Sequence, residues 1–132
     1  MNYLLDTHVL LWSIISTKKL SLKAKKIIQD NTNFVYTSSV SYWEISIKYS
    51  SGKLKLGNSK PDDIRRYSLL QKYQEIELTS EIAASIYKLP RFKNKDPFDR
   101  ILAWQVIKGD YVLISKDSGF DAYKSFGLSR VW

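Results

Sequence analysis

The sequence contains no cysteine. Disulfides, thiolate zinc sites and cysteine nucleophiles are therefore excluded, and a cytosolic protein is the plain expectation. There is one histidine, His8, so a two-histidine ribonuclease mechanism is closed to a single chain. No run of about eighteen apolar residues occurs, so no membrane span is expected. The apolar start lacks a basic n-region and carries Asp6 and His8, so it does not read as a signal peptide. Two further motifs fail on a missing residue. The Gly-Lys pair at 52–53 lacks the earlier glycine of a phosphate loop, and Asp-Thr-His at 6–8 lacks the second Asp of a phosphoaspartate phosphatase. No repeat, low-complexity tract or dividing linker is present, so 1–132 reads as one domain.

What is present is the balance of a globular domain: 132 residues, 44% hydrophobic and 26% charged. Lys and Arg outnumber Asp and Glu by 21 to 13, a net charge of +8. Basic proteins of this size meet polyanions, and nucleic acid is the commonest.

Short apolar or β-branched runs predict strands at 2–6, 34–38, 75–79, 111–115 and 128–132. Helices are predicted at 7–16, 21–30, 41–50, 60–74, 80–89 and 96–109, with a short one at 118–127. Ser21 suits an N-cap, and Pro61 followed by Asp62 and Asp63 suits a helix start. The alternation of strand and helix predicts an α/β fold with a parallel sheet and helices on both faces. In such sheets the working crevice lies beyond the carboxyl ends of the strands.

Four acids fall at that level. Asp6 ends the first strand, Glu44 and Asp99 sit in the first turns of helices, and Asp117 follows the fourth strand. Gathered together, four carboxylates raise one another's pKa, and a hard divalent cation such as Mg²⁺ or Mn²⁺ is the usual resolution. Each acid also has a local reading. Ser41-Tyr-Trp-Glu44 fits a capping box as well as it fits a ligand. Asp117 could cap the turn after it. Asp96, before Pro97, is a natural N-cap, which leaves Asp99 to face the crevice. Nothing in the strand of Asp6 supplies that residue with a partner. His8 reads as a packed or hydrogen-bonded residue, and Trp12, Trp43 and Trp104 read as core rather than as base-stacking platforms. Lys116 reads more readily as a solvated lysine than as a phosphate contact.

The segments "LLDTHVLLW", "SSVSYWEISIKYSSGKL", "DPFDRILAWQ" and "VLISKDSGF" resemble the signatures of the PIN domain family, and more narrowly its VapC-type toxins. The resemblance covers nearly the whole chain in the right order. It implies a three-layer α/β/α fold with a mainly parallel central sheet, and a Mg²⁺- or Mn²⁺-dependent ribonuclease. It also implies a homodimer neutralised by a small VapB-like antitoxin. The family's acidic quartet falls on Asp6, Glu44, Asp99 and Asp117. Thr7 is the hydroxyl that follows the first acid, and Ser115 stands where the family often has Thr. On this reading Thr7, Arg100, Ser115 and Lys116 line the substrate, and Lys48, Lys53, Lys55, Arg91, Lys93 and Lys95 help guide RNA toward an acidic pocket. Hydrolysis by water leaves a 5′-phosphate and a 3′-hydroxyl. Two rivals remain at this point: an RNA-processing PIN nuclease without an antitoxin, and a catalytically silent RNA-binding module.

Overall fold

The computed structural model describes residues 1–92 and 95–132. Lys93, one of the basic residues expected to guide RNA, lies outside them. Five strands form one sheet: β1 (Asn2–Leu5), β2 (Phe34–Ser38), β3 (Gln74–Ile76), β4 (Val112–Ile114) and β5 (Ser129–Val131). Their order is β3-β2-β1-β4-β5, and every neighbouring pair is parallel. The chain winds outward from β1 through β2 to β3, then returns to the other side of β1 for β4 and β5. The winding therefore reverses between β1 and β4, which is where open α/β sheets build their sites.

Side chains alternate across the strands and divide the core in two. On one face Tyr3, Leu5, Val35 and Ile114 pack with Val9, Leu10 and Leu11 of α1 (Thr7–Ile15) and Ala24 of α2 (Leu22–Gln29). Ile45 of α3 (Ser39–Ser50) and Ile64 of α4 (Pro61–Leu70) complete that layer. On the other face Leu4 and Leu113 pack with Leu102, Ala103 and Val106 of α6 (Pro97–Gly109), and with Phe120, Tyr123 and Leu128. Ile82 of α5 (Ser80–Ser85) adds to this second layer. The three-layer α/β/α arrangement is thus built by a single-residue alternation. Each large apolar side chain so buried contributes about 1.5–3 kcal/mol. No described helix is long and apolar enough to cross a membrane.

Element boundaries differ from the sequence expectations in ways that bear on the site. Helix α3 begins two residues earlier than expected, because Ser38 caps it by accepting from Val40 N at 3.1 Å. Glu44 is then in the second turn, so the capping box with Ser41 does not form. The helix predicted over 60–74 stops at Leu70, since Lys72 takes a left-handed conformation (φ 66°) and turns the chain into β3. The segment after α5 tightens into a 3-10 turn at Ile86–Lys88, and Ser118–Phe126 is 3-10 throughout. Ser21, Asp96 and Pro97 cap and start their helices as expected.

Candidate active site

The carboxyl end of β1 delivers Asp6, and β1 being central makes that position deep: Asp6 is 4% exposed. It is also the N-cap of α1, accepting from Thr7 N through Oδ1 at 2.7 Å. Its other oxygen, Oδ2, accepts from the Ser115 hydroxyl at 2.7 Å. Asp6 therefore has the partners that its own strand could not supply. Burial pushes its carboxyl above the ordinary carboxylate range. The Ser115 hydroxyl, the His8 ring and the Thr7 amide pull the other way, and Glu44 adds to the rise.

Ser115, fully buried past the end of β4, serves two acids at once. While donating to Asp6 it accepts from Asp117 N at 3.0 Å. Asp117 then turns its own carboxylate back on the chain and accepts from Gly119 N at 2.8 Å, capping the 3-10 segment. A Cβ on Gly119 would lie 2.9 Å from that same Asp117 oxygen, so only glycine leaves the carboxylate in this position. Beneath this loop Arg130 of β5 donates to the Ser115 carbonyl at 2.9 Å and grips Asp121 with two further nitrogens at 2.9 and 3.0 Å.

On the far side of Asp6 stand α3 and α6, which touch through an edge-on contact of Trp43 and Phe98, ring centroids 5.0 Å apart. Ser38 donates to Gln105 Oε1 at 2.6 Å and ties the end of β2 to α6. Glu44 is 4% exposed and forms an ion pair with Lys48, one helical turn on. That bond to Glu44 is the main reason the Lys48 ammonium holds its proton more tightly than an ordinary lysine. Asp96 and Asp99 at the start of α6 add to the effect. Asp96 itself accepts from Phe98 N at 2.8 Å and Asp99 N at 3.2 Å, the capping role expected of it.

Asp6, Glu44, Lys48, Asp96 and Asp99 thus share one electrostatic neighbourhood, and Asp117 joins it through Ser115. Asp6, Glu44, Asp96 and Asp117 are each held by local donors, and among the described residues no three acidic or histidine side chains are drawn into a set spaced to hold a metal ion.

The family model described as PIN domain matches residues 3–125. The chain belongs to the PIN domain family. This PIN domain is 25% identical over 133 residues to Ribonuclease VapC22 of Mycobacterium tuberculosis (strain ATCC 25618 / H37Rv), covering 98% of this chain and 97% of that protein. In fold it resembles the VapBC-1 structure from nontypeable Haemophilus influenzae, with a TM-score of 0.64 and 18% identity over 99% of this chain and 97% of that one. It likewise resembles VapBC2 from Rickettsia felis bound to a promoter DNA fragment, with a TM-score of 0.61 and 16% identity over 99% and 98%.

The remaining expected site residues of the PIN domain divide by what already engages them. The Thr7 hydroxyl donates to Ser41 Oγ at 2.9 Å, which ties the start of α1 to α3. Arg100 donates to the carbonyls of Pro90 and Leu89 at 2.9 and 3.0 Å, pinning the chain that enters α6. Lys116 is exposed and borders a cleft with Asp6 and Asp117. Four residues were not read from the sequence in these roles. Lys48 was legible as an i,i+4 partner of Glu44. His8 and Trp12 share the same spacing and line the cleft with the acids. Arg130 carries no local signal, because its partners lie nine and fifteen residues away.

Proposed function

We propose that this PIN domain, residues 1–132 acting as one unit, is a cytoplasmic Mg²⁺- or Mn²⁺-dependent endoribonuclease, the toxin of a toxin–antitoxin pair. The observation that carries the reading is the buried carboxylate of Asp6 at the carboxyl end of β1, where the sheet's winding reverses, with the buried Glu44 of α3 in its electrostatic neighbourhood. Asp99 shares the field of Lys48 with Glu44, and Asp117 is linked to Asp6 through Ser115. An all-oxygen donor set of this kind suits a hard divalent cation. When bound, such an ion supplies Lewis acidity toward a phosphate oxygen and a more acidic water. Asp6, Glu44, Asp99 and Asp117 would hold it. Ser115 and the Thr7 amide keep Asp6 aimed, and Lys116 offers a positive charge to the substrate backbone.

The partner reading draws on the similarity to VapC22 and to VapBC structures, and on exposed apolar surface beside the acids. Trp43 and Ile47, four residues apart on α3, are 53% and 40% exposed. Such surface commonly marks a protein contact. We assign it to a homodimer and to a small antitoxin whose basic side chain enters the acidic pocket.

The deciding experiment is cleavage of pooled cellular RNA by the purified chain with Mg²⁺, with Mn²⁺ and with excess EDTA. Cleavage with either metal and none in EDTA is expected. Undiminished cleavage in EDTA would overturn the metal site, and no cleavage under any condition would favour a silent RNA-binding module.

A further inference from the structure

The cleft that Asp6 and Asp117 border is not purely acidic. It encloses about 290 Å³ and is lined by Asp6, His8, Trp12, Lys116 and Asp117. Glu44 and Asp99 do not line it, so it opens on the β1–β4 flank of the site alone. Its other wall is aromatic. His8 and Trp12 are four residues apart on α1, so their rings project from the same face of the helix. The ring centroids are 5.9 Å apart, and Trp132 backs Trp12 at 5.9 Å from behind. His8 is exposed and Trp12 is half-buried, resting on the core with its remaining surface toward the cleft.

A core tryptophan needs no such position. The helix start that presents Asp6 also presents a ledge of two rings, and an exposed lysine faces it from the end of β4. An ammonium and the faces of two rings, tilted 43° to one another, within one small cleft match the two halves of a nucleotide: the phosphate and the base. Bases stack on aromatic side chains whatever their sequence, and a protein that cuts single-stranded RNA meets bases already unstacked. We infer that the His8–Trp12 ledge is a base-stacking subsite for the nucleotide beside the scissile phosphate, with Lys116 against the backbone of that nucleotide. The inference rests on the ribonuclease reading and adds the residues that grip the substrate next to the acids.

The test compares a 2′-O-methyl single-stranded RNA hexamer with the same hexamer made abasic, titrated into the full chain by fluorescence anisotropy. Wild type should prefer the hexamer with bases by roughly 5- to 150-fold, the range a single stack provides. Trp12→Leu should lose most of that preference, Trp12→Phe should keep most of it, and His8→Ala should fall between. Equal preference in wild type, Trp12→Leu and His8→Ala would overturn the subsite. If Trp12→Leu fails to fold, the indole N–H resonance of Trp12, identified by its loss in Trp12→Phe, replaces it. That resonance should shift on adding the hexamer with bases but not the abasic one, and no shift overturns the proposal. Wild type that cleaves pooled RNA but shows no base preference removes the ledge and leaves the ribonuclease reading standing. Wild type that neither binds nor cleaves removes both. Ledge variants that keep the base preference and lose self-association by light scattering would make this a protein contact and also overturn the proposal.

Discussion

The two flanks of the acidic crevice are held together by different chemistry. On the β1–β4 flank neutral donors do the holding: a hydroxyl and a backbone amide on Asp6, a backbone amide on Asp117. On the α3–α6 flank the Glu44 partner is a cation, Lys48, which also feels Asp96 and Asp99. Neutral donors fix a carboxylate without cancelling its charge, whereas an ion pair cancels it. The first flank is therefore pre-aimed without a bonded counter-ion on either carboxylate. The second carries its own counter-ion, which a divalent cation has to displace.

The largest expected effect lies on the first flank. Asp6→Asn should abolish cleavage, yet leave the metal-free protein as stable as wild type or more so at neutral pH. The sign follows from the raised pKa of Asp6. The folded protein holds this proton more tightly than the unfolded chain, whose value is 3.8. As pH rises above 3.8 and through the folded value, Asp6 comes to destabilise the fold, and below 3.8 that penalty vanishes. The asparagine variant should therefore gain on wild type across that window as pH increases. Saturating Mg²⁺ at a hundredfold excess over its Kd should add about 2.7 kcal/mol to wild type and much less to the variant. Melting temperatures in EDTA and in Mg²⁺ at fixed ionic strength check both claims. If Asp6→Asn melts well below wild type in EDTA, and Mg²⁺ lifts both alike, Asp6 is a structural cap only.

At the start of α6 the proposed site separates a cap, Asp96, from a metal-holding acid, Asp99, by three residues. Asp99→Asn should abolish cleavage while the protein stays folded. Asp96→Ala should cost about 0.5–2 kcal/mol of stability, the ordinary loss of an N-cap, with the rate of the folded enzyme little changed. Reversed phenotypes in paired melting and cleavage assays would exchange the two roles.

On the α3–α6 flank the expected effect on function is smaller and opposite in kind. Lys48→Met removes the counter-ion without removing an acid. Lys48 is partly exposed but Glu44 is buried, so losing the pair leaves a buried acceptor unpaired and should cost about 1–3 kcal/mol in the metal-free protein. Mn²⁺, no longer opposed by an ammonium beside Glu44, should bind several-fold more tightly by calorimetry. Unchanged or weaker Mn²⁺ binding would mean that Lys48 does not stand against the metal.

These contrasts also mark what could be read in the sequence. The sheet, its layers and the place of Asp6 at the end of β1 follow from strand–helix alternation, and the cap at Asp96 follows from Pro97. Glu44 was placed in a first turn because Ser41-x-x-Glu44 imitates a capping box, while Ser38, one of several serines before the helix, is the true cap. The Ser115 bridge to Asp6 spans 109 positions and depends on β1 and β4 being neighbours, so no local pattern announces it. Trp12 was read as core because an apolar helix repeat does not reveal that its outer face meets a cleft.

The sharpest probe of the neutral-donor flank is Gly119→Ala, with a small expected change in stability. The backbone of Gly119 is not in the left-handed region, so alanine is tolerated there conformationally. Its Cβ, however, would approach Asp117 Oδ1 to 2.9 Å, closer than van der Waals contact allows. The clashing atom is the tip of a side chain, which can swing aside at little cost in stability. Swinging aside breaks the bond that Asp117 accepts from Gly119 N and re-aims the carboxylate. The melting temperature in EDTA should therefore stay within a few degrees of wild type, consistent with loss of a single partly exposed hydrogen bond worth about 1 kcal/mol. Cleavage should nevertheless fall, through kcat more than KM, because substrate contacts are untouched while one acid is misplaced. If Gly119→Ala cleaves like wild type, the aim of Asp117 does not matter to the reaction, and the pre-aimed character assigned to this flank belongs to Asp6 alone.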